Sequence, residues 1–185
     1  MIQYTKLEMD TSQFLQNKKA KDTDETATFL GESYHKSMKI AVDPRSNLVV
    51  LKDVNILIDA WKKVFAVQLA SSKDLKSKPY NFIGAAMIKF WTGTIVSPLI
   101  PAAAENMLSG ITNIIVFPGN PVPVGKGIYD AFKKMKAPLV AGALVKVYED
   151  HAKSIQGIHN GLTINPGPST SATSIPVVVP WNGLK

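Results

Sequence analysis

The chain contains no cysteine. That excludes disulfides, thiolate metal ligands and a cysteine nucleophile, and leaves the redox compartment undetermined. Arginine is nearly absent too: of 21 basic residues, only Arg45 is not lysine. The formal charge of +7 could steer the chain toward nucleic acid or an anionic surface. Arginine, however, is the residue that grips phosphate and guanine edges with paired hydrogen bonds. Lysine scattered over helix faces mainly keeps a surface soluble, so no specific nucleic acid is expected as a partner. The first ten residues, MIQYTKLEMD, lack the apolar run of a secretory signal.

Catalytic patterns are also missing. His151 and His159 are eight positions apart on one expected helix, about 80° apart around its axis. A helical metal pair needs i, i+4 spacing, so capping or surface roles fit these histidines and His35 better. Glu149, Asp150 and His151 adjoin in sequence, but helix neighbours point in different directions. The glycines from Gly119 to Gly127 fail as a phosphate loop. Gly127 stands where a magnesium-binding hydroxyl belongs, and Pro121 and Pro123 remove backbone N–H groups. GxSxG turns are absent. The expectation is a non-enzymatic chain with no catalytic, cofactor or metal residues and no small-molecule substrate.

What is present is one charge-poor block. Residues Asn81 to Gly125 carry only Lys89 and Glu105 as charges, together with many of the large apolar side chains. Ahead of it, residues 1–21 are polar and include NKKAK at 17–21, which reads as an N-terminal arm. Asp22, with Glu25 three positions on, has capping-box spacing and opens a helix to about Ile40. From Asp53, the residues Val54, Leu57, Ile58, Trp61, Val64, Phe65 and Leu69 give the clearest amphipathic helix. Burying Trp61 and Phe65 makes Trp61→Ala one of the costliest expected substitutions.

After the polar linker 71–80, Asn81 caps a third helix, Phe82 to about Ile95, apolar nearly all round. Gly84 to Ala104 has the length of a membrane span, but Pro98 and Pro101 end the helix near Val96, after about fourteen residues, too few to cross ~30 Å of hydrocarbon. Residues 111–117, ITNIIVF, read as a strand, and PGNPVPVG after them as an extended segment. A helix resumes near Gly127, kinks at Pro138 and runs through His151, Ile155 and Ile158 until Gly161 closes it. The tail from residue 165 to 185 is Pro- and Ser-rich and ends in VVVPW. A free tail has little reason to carry Trp181, so it reads as an arm docking on its own body or on a neighbouring subunit.

The predicted fold is therefore mainly α, with four or five helices, a short β element and an extended Pro-rich terminal arm. The divisions are an arm at 1–21, a helical domain at 22–164 and a C-terminal arm at 165–185. Large apolar surface without a site fits a subunit held by many neighbours. The competing reading is one monomeric core onto which the tail folds back.

Four short motifs appear in order: Lys89-Phe90-Trp91-Thr92-Gly93; Thr112 to Gly119 (TNIIVFPG); His151 to Ile158 (HAKSIQGI); and Pro180-Trp181-Asn182-Gly183. Across residues 25–183 this series resembles small structural proteins of tailed bacteriophages; the lysine-rich start is not part of that pattern. The resemblance implies a virion component present in many copies, made in the host cytoplasm and placed in the tail, baseplate or neck. Its partners would be copies of itself and other virion proteins, with Phe90, Trp91, Ile114, Phe117, Val178 and Trp181 as interface candidates. Lysines in 17–21 and 73–78 would face an acidic partner. The alternatives are a capsid-associated decoration protein and a membrane-associated protein inserting residues 85–100.

Overall fold

The structure, a computed structural model, describes residues 2–17, 22–44, 48–70, 76–94, 96, 107–165 and 173–185. In strand positions 107–113, 159–165, 173–177 and 179 it describes the backbone alone. The fold is mainly α with a small antiparallel sheet, as the sequence predicts. Among the described residues there are six α-helices: α1 (Tyr4–Gln16), α2 (Thr23–Met38), α3 (Asn55–Ala70), α4 (Asn81–Trp91), α5 (Pro121–Phe132) and α6 (Ala137–Ser154). Each packs against the next in sequence, and α6 returns to α1, closing a ring of helices.

The helix starts are written locally. Asp22 Oδ1 accepts the Glu25 N–H at 2.6 Å at the head of α2, and Asp53 Oδ1 accepts the Asn55 N–H at 2.9 Å at the head of α3. The segment PGNPVPVG departs from expectation, because it opens α5 instead of staying extended. Asn120 Oδ1 accepts the Val122 N–H at 3.0 Å. Pro121 and Pro123 lie in the first turn, whose N–H groups have no helical acceptor to lose.

The expected N-terminal arm also contains a helix. Residues 4–16 form α1, which buries Leu7 and Thr11, packs on α6, and stacks Phe14 on Phe29 of α2 with ring centroids 3.8 Å apart.

The core gathers what the charge-poor block supplies. Trp91 Nε1–H donates to Tyr34 Oη at 2.9 Å inside the protein. Around them stand Phe90, 5.2 Å from Trp91, and Tyr148, 4.8 Å from Tyr34, both edge-on. A second aromatic group joins Trp61 to Phe65 and Phe132, and Phe132 to Tyr80. The α4 helix is covered by its own chain: Ile83, Met87, Phe90 and Trp91 are all buried.

The sheet has the order β1-β2-β3 from strands β1 (Met107–Phe117), β2 (Gln156–Asn165) and β3 (Thr173–Asn182). Here the expected long helix is corrected: α6 stops at Ser154, and the following residues are β2, not a helix closed at Gly161. The tail takes the first of its two expected courses: residues 173–182 are extended and dock on the chain's own body, as the third strand of its sheet. Beyond β3, the Gly183 N–H donates to Ile155 O and the Leu184 N–H to Ala152 O, while Lys185 and Val42 exchange backbone bonds of 2.9 and 3.0 Å. Among the described residues no helix packs along the sheet's length; the sheet meets the helices at one end, where Ile115, Ile155, Gly157 and Trp181 are buried.

Candidate interaction surface

The pleat and the ladder register decide which interface candidates can meet a partner. Directly opposed residues in antiparallel strands point to the same face. Ile115 pairs with Gly157, which pairs with Trp181, and this row turns inward. Trp181 is 6% exposed. Its indole lies on Gly157, where any Cβ would overlap the ring. Phe90, Trp91 and Trp181 are therefore core residues and not interface residues. They are 0%, 0% and 6% exposed, with Tyr34 and His35 of α2 against Phe90 and Trp91 and Gly157 of β2 against Trp181, so almost nothing of them remains for a neighbour.

The other three candidates come together on the opposite face. Ile114, Ile158 and Pro180 form one row across the three strands, with Val178 two positions along β3 from Pro180. A bulge between Ile115 and Phe117 puts Phe117 opposite Gln156, in the row that ends at Asn182. Without it, the period-2 pleat would turn Phe117 to the inner face. Ile114 and Ile158 are half-buried, Phe117 is 44% exposed and Val178 62% exposed. All three strands together contain no Asp, Glu, Lys or Arg. This is an outward face of apolar and neutral residues. The sequence reading missed Ile158 and Pro180, because it read residue 158 as helical and Pro180 as part of a docking tail; the alternation in VVVPW was the available signal.

At the base of the sheet is a cavity of ≈ 360 Å³ lined by Phe117, Asn120, Val124, Val147, His151 and Ser154, among others. His151 was expected at a surface or a cap. It is instead buried, with Nε2 2.7 Å from Pro118 O, which assigns the proton to Nε2 and leaves Nδ1 without a partner among the described residues. Burial is the larger influence and the Pro118 bond opposes it, so the imidazole pKa falls from 6.5 to about 4. Gly119 takes φ +93 beside it, and a Cβ there would press into the imidazole and Ser154 Oγ. His151 thus ties α6 to the turn between β1 and α5.

Its sequence neighbours face elsewhere. Glu149 holds Lys153 at 2.6 Å, and Asp150 holds Lys146 at 2.7 Å, both as exposed i, i+4 pairs. The His159 side chain lies outside the described residues. No group of three or more His, Asp or Glu side chains capable of holding a metal occurs among the described residues.

Within the proposed membrane segment 85–100, residues 85–91 belong to α4, and residues 95 and 97–100 lie outside the described residues. No helix among the described residues is long and apolar enough to cross a membrane. Of the lysine segments, residues 18–21 and 73–75 lie outside the described residues; Lys76 and Lys78 are exposed. Comparison with protein-family models, curated proteins and solved structures finds no match to this chain.

Proposed function

We propose that this chain is a non-enzymatic structural subunit of a tailed-bacteriophage virion, in the tail, baseplate or neck, acting through protein–protein packing. The observation that carries the packing role is the outward face of the sheet. It holds Ile114, Ile158, Val178 and Pro180, has no Asp, Glu, Lys or Arg in any strand, and has no helix over it among the described residues, while Phe117 stands at its end beside the cavity against α5 and α6. Sheet surfaces left in water normally carry charges that prevent association. A face without them is suited to being covered. The virion assignment rests on the four sequence motifs and their resemblance to phage structural proteins. The motifs themselves now have structural roles: Phe90 and Trp91 fill the core, TNIIVFPG ends β1 at the turn held by His151, and Pro-Trp-Asn-Gly closes β3 over Gly157.

The test is quantitative mass spectrometry of gradient-purified particles from the virus that carries this sequence. The chain should be present at a fixed multiple of the other structural proteins and resist a high-salt wash. Its absence from intact particles would end the virion assignment.

A further inference from the structure

The helix ring has a further surface, at the end of α6 away from the sheet. We infer that this end docks an acidic protein partner, with Met135 as the apolar anchor and Lys76, Lys78, Lys133, Lys134 and Lys136 supplying the charge. Folding brings these residues together from separate stretches of chain. Tyr80, which closes the short 3-10 turn Lys78–Tyr80, sets its ring 5.8 Å from both Tyr129 and Phe132 and so carries Lys78 to the C-terminal end of α5. Gln68, near the end of α3, holds the Lys76 backbone by hydrogen bonds of 2.7 and 3.2 Å. Lys133 to Lys136 form the turn from α5 into α6. The α6 helix has 18 residues, so this end stands about 27 Å from the one that meets the sheet.

All five lysines are exposed, and none pairs with a carboxylate among the described residues. The sequence has no acid between Asp130 and Glu149, nor between Lys76 and Glu105. Acids near this end are Asp130, one turn back on α5, and Asp22, Asp24 and Glu25 at the head of α2, where Asp24 pairs with Lys62; Asp74 lies outside the described residues. At the turn, the Lys134 N–H donates to Ala131 O, the Met135 N–H to Phe132 O and the Lys136 N–H to Lys134 O, at 3.1, 3.3 and 2.7 Å. This tight turn puts Met135 at φ 60, a left-handed conformation that is costly for a side chain of its kind, and leaves it 90% exposed.

Charge disfavours a second copy, which is itself +7. The side chains among the lysines separate the anionic partners that remain. Nucleic acid is gripped by arginine forks and by exposed aromatic rings on which bases stack. These stretches hold no arginine, and Tyr129 and Phe132 are half-buried against Tyr80. A bilayer takes up segments with apolar residues on one face and lysines on the other. Met135 instead stands between Lys134 and Lys136, so sinking it into hydrocarbon draws both ammonium groups after it. A protein partner needs only a shallow apolar pocket rimmed by carboxylates, and unbranched methionine adapts to such pockets.

The test is fluorescence anisotropy of labelled poly-L-glutamate and of a labelled glutamate–tyrosine copolymer, titrated with the full chain at about 50 mM salt, where exposed charges are only partly screened. Both should bind, the copolymer more tightly. Lys134→Gln with Lys136→Gln should weaken both by about three- to tenfold, the loss of two exposed charge contacts. Lys36→Gln with Lys39→Gln, equal in charge but at the far end of α2, should stay within about twofold of wild type. Met135→Ser should bring copolymer binding down to that of poly-L-glutamate. Circular dichroism of each variant checks that the helices are intact. Absence of binding up to about 200 µM chain overturns the inference, as does equal weakening by the two lysine pairs or a copolymer preference that survives Met135→Ser. Double-stranded DNA or phosphatidylserine vesicles binding more tightly than the copolymer, with the same loss on Lys134→Gln with Lys136→Gln, overturn it too and assign the surface to nucleic acid or membrane. The purified chain alone is assayed, so failure here leaves the virion reading standing, and absence from particles leaves this surface standing.

Discussion

Trp181 and Val178 lie three residues apart on β3 and should respond to substitution in opposite ways. Trp181 is 6% exposed, with its ring on Gly157 and Ile115 in the same inward row. A tryptophan buries ~150–250 Å², which at ~25 cal/mol per Å² corresponds to ~4–6 kcal/mol. Discounting ~10–40% for surface already buried in the unfolded chain leaves ~3–5 kcal/mol, the usual range for Trp→Ala in a core. For a chain of this length, each kcal/mol shifts the melting temperature by ~2–4 °C, so Trp181→Ala should lower it by about 10 °C. Val178→Lys on the outer face should change it by no more than ~2 °C, because exposed substitutions stay within ~0.5 kcal/mol. The assay is thermal unfolding followed by circular dichroism, at a concentration low enough to keep the chain monomeric. Hydrogen exchange across residues 173–185 should then show whether the loss is confined to β3 or reaches α6. If Trp181→Ala melts within 2 °C of wild type, the tail is not part of the core and the assignment of faces fails with it.

Three further expectations follow from the same contacts. Trp61→Ala removes the ring that meets Phe65 at 5.7 Å and Phe132 at 5.9 Å, and should cost ~3–5 kcal/mol in urea unfolding; an unchanged midpoint would take α3 out of the core. Asp22→Ala deletes the acceptor for the Glu25 N–H and should cost ~1 kcal/mol, whereas Asp22→Asn should restore most of it. His151 has a folded pKa of about 4 against 6.5 unfolded, so the unfolded chain binds a proton the folded one refuses. Stability is therefore full above pH 6.5 and falls as pH drops toward 4, by ~3 kcal/mol from this group. Subtracting the profile of His151→Gln isolates it, and identical slopes for the two proteins would contradict the buried neutral imidazole.

Several elements were legible because their signal is local. Asp22 with Glu25, and Asp53 ahead of Val54, Leu57 and Trp61, place the starts of α2 and α3 within two residues of where they are found. The β-branched run at 111–117 marks the strand that the structure extends to Met107. Other elements depend on partners distant in sequence. The α1 helix has few apolar positions and forms against α6, which lies more than a hundred residues later. His151, Ile155 and Ile158 have helical spacing, yet Gly157 onward is extended because β1 and β3 offer a ladder on both sides. Counting prolines in PGNPVPVG pointed to extended chain; position mattered more, because a first helical turn needs no N–H from them.

By itself, then, the sequence determined that this is a mainly helical chain, where its capped helices begin, and that a neutral, apolar segment must be buried. Those features depend on the spacing of residues within a few turns of chain. Only the tertiary structure decided which half of the interface candidates stays in contact with water. Facing is set by strand pairing, one bulge at Ile115–Phe117 and the seating of Trp181 on Gly157, and each of these joins residues that the sequence holds far apart.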